Sequence, residues 1–280
     1  MVATWRWLSE GTGWCIPAEQ EVCLLTLKIP QEQAASWMDF EQTAAWQSLT
    51  EMEKDRARRY RSAAARIQFV TCRSALRNWL GHCLDMRPAE VPLTVSENGK
   101  PVLAISRQTN TQTGTYDEHP PSVLHFNVAH TDGQGIIALA RHEVGVDIER
   151  VRPIDDIAGL LRRYFTPCEQ LWWQRQEEST RLDAFFRLWT CKEAVLKAVG
   201  RSLADLNSFV LQLLADSTAT ITSKSVATIF DGTWQIRSWR QTDPTASFWI
   251  TAASRLNVSP TIDHTVIRGA SHDHRDLIDG

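Results

Sequence analysis

Apolar residues recur at helical spacing most clearly from Phe185 to Gly200, F-F-R-L-W-T-C-K-E-A-V-L-K-A-V-G. Leu188, Cys191, Val195, Ala198 and Val199 form one face of this predicted helix. Glu193 and Lys197 fall opposite, one turn apart, and on their own read as a surface ion pair. Gly200 predicts the stop. A second long helix is predicted from Ala63 to Leu80, ending at Gly81, and Thr50 with Glu53 predicts a capping box upstream of it. Gln31 to Leu49 reads as amphipathic around Trp37, Phe40 and Trp46. Ile154 to Tyr164 reads as a shorter helix, and another begins with Thr166 as N-cap, Pro167 at the first position and Glu169 at the third.

Short apolar runs bounded by turn residues predict the strands. Glu21 to Ile29 is the first, and Val91 to Leu103 folds back at Asn98-Gly99. Val123 to Val128 follows, then Ile136 to Ala140 and Val144 to Ile148 as a hairpin around Arg141-His142-Glu143. Leu206–Leu214, Thr218–Val226, Gly232–Trp239 and Ser247–Ala253 complete the set. Ser106 to Ser122 has no apolar periodicity and reads as a linker. Thr71 to Gly81, T-C-R-S-A-L-R-N-W-L-G, repeats in register as T-C-K-E-A-V-L-K-A-V-G at Thr190 to Gly200. The repeat predicts a duplicated α/β unit, with Glu193 where the first copy has Ser74. The expected architecture is α+β: two pseudo-symmetric halves, 1–120 and 121–257, with a cleft between them and a loose tail at 258–280.

Composition narrows the chemistry. The 280 residues carry a formal net charge of −3, which predicts no nucleic-acid partner. No apolar run is long enough to span a bilayer, and no leader pattern is read at the N-terminus. The six cysteines form no C-x-x-C pair and read as reduced, mostly buried thiols of a cytoplasmic protein.

Three stretches then matter together. In V-G-V-D-I-E, a strand puts Asp147 and Glu149 on one face, where two acids call for a cation, and Gly145 leaves room for close approach. Mg²⁺ takes hard oxygens, and Asp147, Glu149 and Glu193 would supply three. Lys100, His130, Lys192 and Lys197 would supply cations for phosphate. Around K-D-R-A-R-R-Y-R and at Arg66, Arg73 and Arg77, forked guanidinium donors suit an anion or a solvated helix face. That set fits transfer of a phosphoryl-containing group.

G-V-D-I-E at Gly145–Glu149 and W-T-C-K-E-A-V-L-K-A-V-G at Trp189–Gly200 resemble the paired signatures of the 4′-phosphopantetheinyl transferases. The larger, pseudo-dimeric, surfactin-synthetase-activating (Sfp) type is the subclass they match. N-G-K-P at Asn98–Pro101, F-N-V-A-H at Phe126–His130, D-R-A-R-R-Y-R and F-T-P-C-E also fit, over roughly Lys54 to Leu203. The resemblance implies transfer of phosphopantetheine from coenzyme A to a serine of an acyl or peptidyl carrier protein by a monomer, without nucleic-acid or membrane partners. It implies Asp147, Glu149 and Glu193 as Mg²⁺ ligands, and Glu193, Lys197 and His130 as the catalytic groups. It implies Arg56, Lys100 and Pro101 at the nucleotide, and Ala129, His130, Lys192 and Lys197 around the phosphates. Ala129-His130-Thr131 departs from the family's usual Ser-His-Ser, so one side-chain hydroxyl contact is lost at Ala129. Two other classes remain to be separated: a coenzyme A or carrier-domain binder without turnover, and a metal-dependent coenzyme A phosphodiesterase.

Overall fold

The computed structural model describes residues 2–8, 13–30, 41–96, 99–104, 124–224 and 230–256. The expected linker at 106–122, the tail at 258–280, Asn98 and most of the 31–49 helix lie outside these residues. Chain order begins with β1 (Thr4–Leu8) and β2 (Glu21–Lys28). Thr43, Thr50 and Ser62 each accept a backbone N–H three residues on, and so start α1 (Ala44–Gln47), α2 (Glu51–Arg58) and α3 (Ala63–Leu84). The predicted capping box at Thr50 and Glu53 is present. A hairpin, β3 (Leu93–Val95) with β4 (Pro101–Leu103), precedes β5 (His125–Thr131) and β6 (Gln134–Ala140).

From β7 (Glu143–Arg150) the order repeats. Three helices follow: α4 (Ile157–Tyr164), α5 (Pro167–Gln174) and α6 (Arg181–Val199). Then come β8 (Phe209–Leu213), β9 (Thr218–Lys224), β10 (Thr233–Thr242) and β11 (Ser247–Leu256). Apart from the additional β1 at the start, each unit therefore runs strand, three helices, hairpin, hairpin. In each the opening strand pairs antiparallel with the closing one, β2 with β6 and β7 with β11. The repeated segments Thr71–Gly81 and Thr190–Gly200 lie on α3 and α6, which hold corresponding places.

Pairing moves the division between units. Sheet one has the order β1-β2-β6-β5 and sheet two β7-β11-β10-β9-β8, so β5 and β6 belong with the first unit. The boundary falls at the Arg141–His142 turn, not at residue 120. For the same reason β6 and β7 are not a hairpin, since they lie in different sheets. Both are buried on both faces, so their short connection carried no mark of which sheet each would join.

Alternation along the strands builds four layers. Cys23, Leu25, Leu27, Ile137 and Leu139 face α3 residues Leu76, Trp79 and Leu80. Val22, Leu24, Ile136 and Ala138 point the other way and meet Val146, Ile148, Ile250 and Ala252 of sheet two. Ile236 and Ala253, on the far side of sheet two, pack on Phe186, Leu188 and Val195 of α6. The order is helix, sheet, sheet, helix. At one edge Trp5 and Trp7 of β1 meet Trp239 of β10 edge-to-face, at centroid distances of 5.5 and 5.0 Å. Among the described residues no helix is long and apolar enough to cross a membrane.

Two predicted boundaries shift. α3 continues past Gly81 to Leu84, where Asp85 caps it at φ 52°. Gly81 serves the returning chain instead, because a Cβ there would lie 2.7 Å from the Met86 carbonyl oxygen. Leu203–Ser208 is a 3₁₀ turn, so the strand predicted from Leu206 begins only at Phe209.

Candidate active site

The site starts from a glycine. A Cβ on Gly145 would lie 2.0 Å from the Ala194 carbonyl oxygen and 2.4 Å from the Ala198 nitrogen. Only glycine lets β7 touch the backbone of α6 this closely. Two and four residues on, Asp147 and Glu149 then reach the α6 face that carries Glu193 and Lys197. α6 is held in rotation by a buried polar seam: Thr190 Oγ1 lies 2.9 Å from Thr251 Oγ1, and Cys191 Sγ 3.1 Å from Ser238 Oγ.

Lys197 turns to the strand rather than along its own helix, and its Nζ donates to Asp147 Oδ1 at 2.5 Å. Burial works against its charge, but the attraction of Asp147, Glu193 and Glu149 outweighs it and raises the ammonium above its ordinary value. Burial and the neighbouring Asp147 carboxylate push both Glu149 and Glu193 up to about 7. Asp147 Oδ2 is buried with no hydrogen-bond partner. Among the described residues no three His, Cys, Asp or Glu side chains stand close enough to hold a metal ion as they are.

A cavity of about 350 Å³ opens in the first unit beside this cluster. Arg56, Tyr60, Phe69 and Arg73 form one wall, and Gly99, Pro101, Phe126 and Val128 form the others. Arg56 stacks on Phe69, 5.1 Å from the ring centroid, and Arg73 lies 5.6 Å from it. His130 also lines the cavity and feels the charges of Lys197 and Asp147, so it joins the pocket to the acids. Burial holds its imidazole below the ordinary value. The Gln68 side-chain amide donates to His130 Nδ1 at 2.7 Å.

The structure thus brings together Asp147, Glu149, Glu193, Lys197 and His130, with Arg56 and Pro101 across the pocket. Three expected contacts go elsewhere. Lys192 is fully buried, and its ammonium meets both Glu169 oxygens at 2.8 Å and the Phe209 carbonyl at 2.9 Å, so it is a core ion pair and no nucleotide ligand. The Ala129 side chain packs between the sheets, away from the cavity, as strand alternation beside His130 requires. Lys100 Nζ donates to the carbonyls of Lys197 and Ala198 at 2.7 and 3.1 Å, at the end of α6.

Of the arginines at helical spacing on α3, Arg73 lines the cavity but Arg77 is buried, with Nε 2.6 Å and Nη2 3.0 Å from Glu53. Tyr60, Gln68 and Phe69 were not singled out from the sequence. Phe69 precedes Arg73 by four residues on the same helix, which was the available signal. Asn127 was also passed over. Its Oδ1 accepts the Val146 N–H at 3.0 Å and so ties β5 to β7.

A family model described as the 4′-phosphopantetheinyl transferase superfamily matches residues 143–253, the span from β7 into β11. The 4′-phosphopantetheinyl transferase HetI of Nostoc sp. is 32% identical over 66% of this chain and 72% of its own length. A putative 4′-phosphopantetheinyl transferase of Synechocystis sp. is 33% identical over 56% of this chain, which spans 58% of that relative. The transferase Sfp of Bacillus subtilis is 31% identical over 35% of this chain and 43% of its own length. The chain belongs to the 4′-phosphopantetheinyl transferase superfamily. The resemblance read from its motifs, including the Sfp type, is borne out.

Proposed function

We propose that the chain transfers the 4′-phosphopantetheine group of coenzyme A to a serine of an apo acyl or peptidyl carrier protein, releasing adenosine 3′,5′-bisphosphate. The observation that carries this reading is the join at His130 between an aromatic, arginine-walled cavity and a cluster of three acids with a lysine. The cavity suits a nucleotide: Tyr60, Phe69 and Phe126 offer ring faces, and Arg56 and Arg73 offer cations for phosphate. The cluster suits the diphosphate through the Lys197 ammonium, which neutralises charge that develops on the leaving phosphate, and through His130, whose neutral imidazole can offer it an N–H.

The acids fit Mg²⁺. Asp147 Oδ2 is a buried oxygen with no donor, and burial together with the Asp147 carboxylate holds Glu149 and Glu193 up. Asp147, Glu149 and Glu193 would hold the ion, which would supply charge neutralisation at the diphosphate when bound. Glu193, half-buried and pushed up to about 7, is suited to take the serine proton directly or through water. We place the enzyme in the cytoplasm, as a monomer.

The test is intact mass of an apo carrier protein incubated with coenzyme A and Mg²⁺. Gain of one phosphopantetheinyl group only when the chain is present is expected. Nucleotide release without a modified carrier would favour the phosphodiesterase reading, and binding without either product the non-catalytic one.

A further inference from the structure

We propose that Lys100 is a positioning residue that couples occupancy of the cavity to the end of the α6 helix, and that it does not bind phosphate. The inference rests on the proposed function only in naming coenzyme A as the occupant.

The placement of Lys100 beside the cavity carries the first part. Gly99, at φ 79°, and Pro101 line the cavity, whereas the Lys100 side chain between them does not. It reaches across the unit boundary to α6, where the Lys100 ammonium meets two carbonyls.

The helix end carries the second part. A helix leaves its last carbonyls without intrahelical donors. Gly200, at φ 68°, turns the chain so that the Arg201 N–H reaches the Leu196 carbonyl at 2.9 Å. The Gly200 N–H reaches the Lys197 carbonyl only at 3.4 Å. Lys100 supplies a 2.7 Å donor to that same carbonyl and a 3.1 Å donor to the Ala198 carbonyl. A cation also suits the negative end of the helix. Burial pulls Lys100 down to about 8, so the contact is made against a desolvation cost. The residue whose carbonyl it holds is the one whose side chain bonds Asp147. A ligand that presses on Gly99 and Pro101 therefore acts, through one side chain, on the turn that aims the Lys197 ammonium.

The experiment uses the full chain, coenzyme A as the probe, and the variants Lys100→Met and Lys100→Arg. Three quantities are read: coenzyme A affinity, carrier modification rate at saturating coenzyme A, and hydrogen exchange of the amides at 197–202 with and without coenzyme A. In the unsubstituted protein coenzyme A should slow exchange at 197–202. In Lys100→Met affinity should change by less than about threefold, while turnover drops on the order of tenfold to a hundredfold, as a small misplacement of a reacting group does. The ligand-induced slowing should disappear, and Lys100→Arg should restore part of both.

Affinity and turnover falling together would make Lys100 a phosphate ligand and overturn the proposal. Unchanged turnover and unchanged ligand-induced slowing, with only a lower melting temperature, would make it a plain helix cap and overturn it as well. Failure of coenzyme A to bind the unsubstituted protein would instead refute the proposed function, and this coupling with it.

Discussion

Lys197 faces carboxylates from two elements, and the charge balance there decides what each substitution does. Lys197→Ala removes the cation that Asp147, Glu149 and Glu193 share. Carrier modification should fall on the order of a hundredfold or more, with Mg²⁺ affinity little reduced. Glu193→Gln should lower both turnover and Mg²⁺ affinity while the fold persists. Rates measured against Mg²⁺ concentration, with melting temperatures alongside, separate the two variants. Near-unsubstituted rates in both would reduce the cluster to a structural one. Lys100 gives a pH signature. Its ammonium is harder to keep in the folded state, at about 8 against an ordinary 10.5. Between those values the unfolded chain binds more protons, so stability should rise with pH across that window. The rise should amount to about 1–2 kcal/mol after allowance for partial exposure, and Lys100→Met should remove it. Paired urea titrations at pH 7.5 and 10 measure the difference. At this scale the acids and Lys197 were legible because their motifs bring the chemistry with them. Lys192 was misassigned although its address was readable: it stands four residues from both Leu188 and Leu196 on the buried stripe, where a lysine needs an acid. The partner, Glu169, was visible only as a capping residue.

Among the elements, α6 depends on that pair and on the glycine beneath it. Glu169 accepts from Lys192, from the Leu211 N–H and from the Thr166 N–H, so one carboxylate ties α5, α6 and β8 together. Lys192→Met strands a buried charge and should cost about 3–5 kcal/mol in denaturant unfolding. Adding Glu169→Gln should return part of that loss, whereas a nucleotide-binding lysine would show no such compensation. Gly145→Ala sets a methyl group against the backbone of α6. It should cost roughly 3 kcal/mol or more and also depress turnover, because the helix must move off β7. Calorimetry with a rate assay at a temperature below both melting points checks this. The room that Gly145 leaves was legible in the sequence, but not that a helix backbone would fill it.

Across the molecule, the duplicated unit was legible in two eleven-residue segments that share Thr, Cys, a base, Ala and the terminal Gly in register, because a repeated helix implies repeated surroundings. Its limits were not. β6 and β7 are three residues apart and equally apolar, and only pairing shows that one closes a sheet and the other opens the next. The units meet through the apolar faces of both sheets, through Asn127 at β7 and through the Trp5–Trp7–Trp239 contact. Trp239→Ala should cost about 2–3 kcal/mol, from two edge-to-face pairs plus the buried ring area, and leave turnover near normal. A large loss of turnover at unchanged stability would show that the edge contact reaches the active site.

The pairing of each opening strand with its closing strand also fixes an order of events during synthesis. Once Ala140 has left the ribosome, the first sheet has every strand it needs and can close. Its face bearing Val22, Leu24, Ile136 and Ala138 then has no cover. β7 emerges at once, but its neighbour β11 is the last strand of the second unit to be made. For the time it takes to translate the intervening hundred or so residues, the nascent chain carries a finished sheet with a bare apolar side. A growing polypeptide in that state is a natural client for a chaperone, and slowing translation after residue 140 should increase aggregation of the incomplete chain.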